Sequence, residues 1–253
     1  MQTNQKIILF FVTIALVLMP MGQVTKVFAD NPSEYDNVKK NNSVTTKTVT
    51  PPITKFCNMK LSPKADLSNC YGYNLSLHNV DLSGSNLSGS VFINADLFNV
   101  NLSKANLQNV NLKGVLLANS NLAGADLRGA DLRNANFYHT NLQGADLRGA
   151  KITGSIFPSA NFQNANLQGV VFSHTKAEVS NFQNANLRGA NLSQTELLGA
   201  DFTGANLQDA DLRNSDLAGG SLAGANLQGA NTNGLDTAGV DISCYGNEIC
   251  DNE

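Results

Sequence analysis

The chain has 253 residues, with 17 Lys or Arg, 20 Asp or Glu and a formal net charge of −3. This balance, without a basic stripe, argues against nucleic-acid binding. Charged residues make up only 15% of the chain.

Residues 1–29 have the pattern of a secretory signal peptide. Lys6 precedes an apolar run over positions 7–19, Pro20 ends that run, and positions 27–29 (VFA) place small side chains at −3 and −1 of a cleavage site. The run is short for a bilayer span. We therefore expect export, with no stable membrane span after cleavage; an uncleaved signal anchor is the alternative.

The next two segments are expected to be a linker and a cap. Residues 30–54 are polar, lack an apolar period and are typical of a flexible linker. Residues 55–64 are interpreted as an N-terminal cap. Removal of residues 1–29 would leave 15 Lys or Arg against 20 Asp or Glu, a net charge of −5.

Residues 65–244 consist of 36 consecutive pentads, Ala-(Asp/Asn)-Leu-x-(Gly/Asn), without insertion or deletion. Leu, Phe or Ile fills the third position in 32 pentads, and Gly or Asn fills the fifth in 28. Neither a straight helix nor a straight strand keeps a period of five on one side. Because Gly and Asn tolerate positive φ, each pentad is predicted to be a short extended segment followed by a corner.

A second period, in which every fourth pentad matches beyond the basic motif, predicts four pentads per coil. The third position and the residue two before it should point inward, and their neighbours outward. Phe162, Phe182 and Phe202 recur at this interval, so their rings could stack between coils. The sequence therefore predicts an all-β solenoid of about nine coils.

On these pentads, residues 65–244 resemble the pentapeptide-repeat family; residues 70–79 and 176–179 depart in composition but keep the phase. The resemblance implies a right-handed quadrilateral β-helix and a non-catalytic scaffold or binding protein. It also implies a periplasm or thylakoid lumen as the destination, with the extracellular space as a further possibility. Some family members inhibit type II topoisomerases by mimicking DNA. The export signal, and the excess of Asn over Asp in the second position, disfavour that alternative.

The four cysteines of the exported part predict two disulfides in an oxidising compartment. Cys57 and Cys70 lie at one end of the predicted rod, and Cys244 and Cys250 at the other, about 40 Å away by the coil rise. Since a disulfide needs Cα atoms within about 7 Å, we predict Cys57–Cys70 and Cys244–Cys250. Free thiols are the alternative. Residues 245–253 would form the C-terminal cap.

The sequence offers no arrangement typical of an active site. His78, His139 and His174 fall on different coils and cannot share one metal ion. Asp exchanges freely with Asn in the pentad, which a catalytic carboxylate would not tolerate. We therefore expect no enzyme activity, no cofactor, no metal and no small-molecule substrate.

One face of the predicted rod loses its polar outward residues. Consecutive coils there carry an apolar series, which often marks an interaction surface. The partner would be another protein or a second copy of the chain. A fold-back of the N-terminal segment and tolerated drift are alternatives. The candidate partner-binding residues are Phe98, Leu116, Tyr138, Ile156 and Pro158, with Ala118 among them.

Overall fold

The structure, a computed structural model, describes residues 55–56 and 61–251, with side chains for 61–250. Its regular elements are short: β1 (Lys55–Phe56), β2 (Cys70–Tyr71) and the 3-10 helix η1 (Glu248–Asp251). Strands β1 and β2 pair in parallel. Most of the remaining repeat is joined by isolated parallel bridges, because each extended segment ends at a corner after very few residues.

The bridges show the length of one coil. They join the second residue of one pentad to the second residue four pentads later, from Asp66↔Asn86 to Ser221↔Asp241. Four pentads per coil is therefore confirmed, and the chain folds as an all-β, right-handed quadrilateral β-helix. The total of about nine coils stays a prediction.

Each corner is made by a residue with left-handed backbone. Every fifth residue from Lys64 to Gly239 has positive φ, whether it is Gly or not. A backbone hydrogen bond closes the corner, as where the Ser85 N–H donates to the Leu82 carbonyl at 3.0 Å. At Gly114 an added Cβ would also come within 2.2 Å of Asn94 Oδ1. The predicted role of Gly and Asn in the fifth position is confirmed.

The interior is filled by the first and third residues of the pentads. Leu82, Leu102 and Leu122 are fully buried, and burial of one such side chain contributes about 1.5–3 kcal/mol. Where Ser or Thr takes the first position, its hydroxyl finds a backbone carbonyl. The Ser120 hydroxyl, for example, donates to the Leu97 carbonyl of the preceding coil at 2.6 Å. Buried hydroxyls of this kind cross-link coils instead of weakening the core.

The predicted phenylalanine ladder is present and extends across the interior. Phe162 and Phe182 stack with centroids 4.8 Å apart, and Phe182 and Phe202 with centroids 4.6 Å apart. Phe172 crosses this stack from another side and meets Phe182 at 80°. Ala177 lies between Phe172 and Phe182 in the same coil, so a small residue at this position compensates for the volume of two rings.

Both ends of the solenoid depart from the regular coil spacing. Strand β1 pairs with β2 in a register one pentad shorter than a coil, with Lys55 opposite Cys70. Asn226 bridges Tyr245, one residue before the position that the repeat would select. At the C-terminal end the Asn247 side chain donates to the Ala230 carbonyl at 2.9 Å. An end coil has a neighbour on one side only, so these groups replace the contacts that a further coil would make.

Val179 is the corner residue least suited to its backbone, which yields a prediction. Its φ is 57°, and the side chain is 65% exposed. Left-handed backbone costs a β-branched residue about 1–2 kcal/mol. Val179→Gly is expected to raise the free energy of unfolding in urea by about 0.5–1 kcal/mol after the entropic cost of Gly.

Val171→Gly is the matched control. Val171 is also exposed but is outside the positive-φ corner residues, so its replacement should destabilise the chain. Equal destabilisation by both glycine variants would contradict strain at Val179.

Candidate protein-binding face

The four faces of the β-helix are numbered in chain order. Their inward central columns begin with Leu67 (face 1), Gly72 (face 2), Leu77 (face 3) and Leu82 (face 4), and each column continues once per coil. The second and fourth residues of each pentad flank that column and point outward. The chemistry of a face is therefore set by two outward columns.

The asparagines of face 4 are engaged in holding coils together. Asn121 Nδ2 donates to Asn101 Oδ1 at 3.3 Å, and Asn141 Nδ2 donates to Asn121 Oδ1 at 3.3 Å. Asn121 Oδ1 also accepts the backbone N–H of Ala123 at 3.1 Å. Asp81 is the first residue of the row and accepts from Asn101 at 3.0 Å. It needs no donor of its own, because no earlier member of the row precedes it. The exchange of Asp and Asn therefore has a structural explanation.

Several aspartates on faces 1 and 2 are neutralised within their own pentads. Each accepts hydrogen bonds from an arginine two positions later, at 2.5–2.7 Å. The hydrogen bond from Arg128 lowers the pKa of Asp126 below its usual value, and the one from Arg213 lowers the pKa of Asp211. The pairs are Asp126–Arg128, Asp131–Arg133, Asp146–Arg148 and Asp211–Arg213.

Among the described side chains, His78 and Asp96 form a close pair on face 3. His78 Nε2 pairs with Asp96 Oδ2 at 2.5 Å; this hydrogen bond lowers the pKa of Asp96. Across residues 61–250 no group of three or more His, Cys, Asp or Glu is placed to hold a metal ion. In the same part of the chain, no helix is both long and apolar enough to cross a bilayer.

Face 3 carries the apolar series expected from the sequence, here called the apolar stripe: Phe98, Leu116, Ala118, Tyr138, Ile156 and Pro158. Phe98 is 42% exposed, Leu116 45% and Tyr138 44%, while the others are half-buried. Bridges from Leu116 to Asn136 and from Asn136 to Ile156 place these residues on successive coils. The structure therefore brings all of these residues together on one surface.

The backbone explains how face 3 accommodates apolar residues. In a regular pentad the second side chain accepts the N–H of the fourth residue, as Asn136 Oδ1 does from Tyr138 at 2.9 Å. Ile156 has no such acceptor, but the fourth residue of its pentad is Pro158, which has no N–H. Acceptor and donor are lost together, so the pentad leaves no polar group unsatisfied at that point.

Sequence reasoning missed the corner that borders the stripe. The sequence shows only that His139 cannot share a metal ion with the other histidines, whereas in the structure its ring meets Tyr138 edge-on at 4.1 Å. Val179 lies on the same corner and is exposed. Glu178 Oε2, near the end of the stripe, is buried without a hydrogen-bond partner. The corner residues could have been found in the sequence, because His139 and Val179 occupy the same fifth-position column. The burial of one carboxylate oxygen could not, because it depends on side-chain packing.

The described cysteines lie at the two ends of the solenoid. Cys244 and Cys250 form a disulfide with Cα atoms 5.1 Å apart, the pairing that the sequence predicts. Cys70 is also disulfide-bonded; its predicted partner, Cys57, lies outside the described residues, as do the expected signal peptide (1–29) and linker (30–54).

The geometry defines a class: a quadrilateral β-helix built from five-residue repeats, with one apolar outer face. The profile described as pentapeptide repeats matches in 8 copies, over residues 63–89, 76–114, 111–149, 145–178 and 180–219. These matches cover more than half of the chain, so the protein belongs to the pentapeptide repeat family. Among curated proteins, no matching sequence was found.

Solved structures of similar proteins are known from several sources. HetL of Nostoc sp. strain PCC 7120, involved in heterocyst differentiation regulation, is 26% identical; the match covers 73% of this chain and 92% of HetL, with a TM-score of 0.42. QnrB1, a plasmid-mediated fluoroquinolone resistance protein, is 17% identical, with coverages of 69% and 93% and a TM-score of 0.46. A pentapeptide repeat protein of the Arabidopsis thaliana thylakoid lumen is 31% identical, with coverages of 45% and 62% and a TM-score of 0.18.

The aspartate–arginine pairs predict a loss of stability in acid. The pKa values of Asp126 and Asp211 are lower in the folded chain than their usual value, so this stabilisation is present above the unfolded pKa and is lost as pH falls through the folded pKa. Arg128→Gln and Arg213→Gln should each lower the free energy of unfolding at pH 7 by a small amount, because exposed ion pairs are screened by solvent. Each variant should also reduce the pH dependence measured by urea unfolding.

Arg188→Gln serves as the control for these variants. Arg188 Nε lies 3.6 Å from Asp209 Oδ2, and both side chains are more than half exposed, so its removal should change the acid response little. An equal effect of all three variants would show that the net charge of the chain, rather than the close pairs, determines how the free energy of unfolding falls in acid.

Proposed function

We propose that this protein is an exported, non-catalytic scaffold or protein-binding solenoid whose apolar stripe contacts another protein or a second copy of the chain. The observation that carries the proposal is the exposure of Phe98, Leu116 and Tyr138 on successive coils of one face. Contiguous exposed apolar side chains are typical of interaction surfaces. The polar outward columns of face 4 are, in contrast, largely engaged with their own coils.

The energetics favour a weak or transient contact. Burial of about 300 Å² of apolar surface would contribute about 7 kcal/mol, while association costs about 4–15 kcal/mol. The stripe therefore needs additional polar contacts to give stable binding. The neighbouring Lys176–Glu196 pair, joined at 2.7 Å, and the His78–Asp96 pair lie at the two ends of the stripe and could supply them.

Two observations support export. Residues 1–29 have the charge, apolar run and small-residue site of a signal peptide. The Cys244–Cys250 disulfide is typical of oxidising compartments. A periplasm or thylakoid lumen, or the extracellular space, would meet both requirements.

The pairing of charges weighs against DNA mimicry. A DNA mimic needs unpaired acidic groups along its surface, but Asp126, Asp131 and Asp146 are each bound by an arginine. Arg188 adds a further positive charge on face 1, close to Asp209. Binding of a protein through apolar contacts is therefore the better-supported function.

The stripe can be tested by the triple variant Phe98→Ser, Leu116→Ser and Tyr138→Ser. Cross-linking in the native compartment should lose the partner at least tenfold, since burial of these side chains supplies the binding energy. Far-UV circular dichroism should stay unchanged, because the replaced side chains point outward. Gln168→Ser with Gln208→Ser, at equivalent outward positions of face 1, is the control and should keep the partner. Unchanged capture by the triple variant would reject the stripe as the binding surface.

Export can be tested separately by fractionating cells and sequencing the N-terminus of the mature protein. We expect the chain to begin at Asp30, because residues 27–29 form the cleavage site. Ala29→Arg should block cleavage, whereas Asn31→Gln should not. A full-length cytoplasmic product would contradict export and would indicate an intracellular partner.

A further inference from the structure

The fourth-position column of the apolar stripe alternates large and small side chains. It contains Phe98, Ala118, Tyr138 and Pro158 on four successive coils. Backbone hydrogen bonds keep these coils in register, as from the Asn119 N–H to the Tyr138 carbonyl at 2.9 Å and from the His139 N–H to the Pro158 carbonyl at 3.0 Å. The two exposed rings therefore stand above a flanking surface of small side chains.

This alternation is self-complementary under one type of symmetry. Consider a two-fold axis that lies in the plane of face 3, perpendicular to the rod and between the coils of Ala118 and Tyr138. This axis reverses the order of the coils and keeps the fourth-position column of one copy opposite the same column of the other. Ala118 then meets Tyr138 of the second copy, and Phe98 meets Pro158. We propose that the apolar stripe binds a second copy of this chain in an antiparallel, face-to-face dimer. The inference rests on the proposed function of the stripe and identifies its occupant.

The ends of the stripe match under the same symmetry. Five coils separate His78 from Glu178, and the axis places them opposite each other across the two copies. Both residues are polar, so the axis sets polar side chains against each other at the two ends of the stripe. Asp96 would face Ile156, but its carboxylate already accepts hydrogen bonds from His78 and from the Phe98 N–H at 3.1 Å.

A parallel dimer places the two rings less well. A two-fold axis along the rod exchanges the two outward columns of each coil, so Phe98 would meet Asp96 and Tyr138 would meet Asn136. Each large ring would then cover a polar side chain instead of a small apolar one, and desolvation of these groups would oppose binding. The antiparallel arrangement places both rings over apolar residues, although it sets Leu116 opposite Asn136, whereas the parallel one would set Leu116 opposite Ala118.

The size of the surface sets the strength of the dimer. Six coils from Ser76 to Lys176 span about 24 Å, and a strip of this length and about 10 Å width buries on the order of 500 Å² over both copies. Stable dimers bury about 1,200 Å² or more. The dimer should therefore be weak, with a Kd of about 100 µM or higher, and should be trapped by cross-linking at high concentration.

The test uses Ser76→Cys and Lys176→Cys, two exposed positions beyond the ends of the stripe, in the intact mature chain. In the antiparallel dimer Ser76 of one copy lies opposite Lys176 of the other, whereas equivalent residues are about 24 Å apart. A bismaleimide with a reach of about 10 Å, or two coil rises, should give at least tenfold more cross-linked dimer in the mixture than in either variant alone. Adding Tyr138→Ser to both variants should reduce that yield about tenfold, since the large ring opposite Ala118 is lost.

The outcomes separate the occupant from the function. Equal cross-linking by each variant alone would indicate the parallel arrangement, and no dimer in the mixture would exclude the second copy; either result overturns the inference. The proposed function would still stand if the stripe captured another protein in the native compartment and the triple serine variant did not.

A photo-reactive benzoylphenylalanine in place of Tyr138 gives an independent measurement. In a mixture of isotope-labelled and unlabelled chains, mass spectrometry should find it joined to the region of Ala118 on the other copy. A link to residues 30–54 of the same chain would show that the N-terminal segment covers the stripe and would overturn the inference.

Discussion

The whole structure depends on a left-handed residue at each corner. Positive φ recurs at every fifth position from Lys64 to Gly239, and this turn keeps the third side chain of each pentad inside the coil. The short extended segments then meet their equivalents in the next coil through parallel bridges. Local conformation and long-range pairing therefore support each other, which is the consistency expected of a sequence that specifies one fold.

Much of this fold could be predicted because a strict period leaves few ways to bury one column of side chains. The inward positions, the corners, the coil length and the stacking of Phe162 on Phe182 all follow from spacing. The shortened step from Asn226 to Tyr245 does not, because the capping contacts of Asn247 replace the repeat where it ends. Ala177 also breaks the pattern for a reason that requires knowing which rings share its coil.

The candidate site was partly visible for the same reason. Phe98, Leu116 and Tyr138 could be assigned to one face by counting in steps of four pentads, and the structure leaves them exposed. The contact of His139 with Tyr138 and the buried oxygen of Glu178 depend on side-chain conformations that spacing does not determine. The repeat pattern therefore locates the candidate binding face, whereas the conformations of the outward side chains determine which contacts that face can make.

The C-terminal cap has a consequence for how such a protein can change in length. Asn247 contacts only the last coil, where it donates to the Ala230 carbonyl and accepts from the Thr232 hydroxyl, and the Cys244–Cys250 disulfide closes the chain just beyond that coil. Duplication of one complete coil inside the rod would therefore leave the closure unchanged and would disturb only the two junctions beside it. Gene segments that encode four pentads are thus natural units of growth, and a lineage could lengthen or shorten the rod without redesigning its ends.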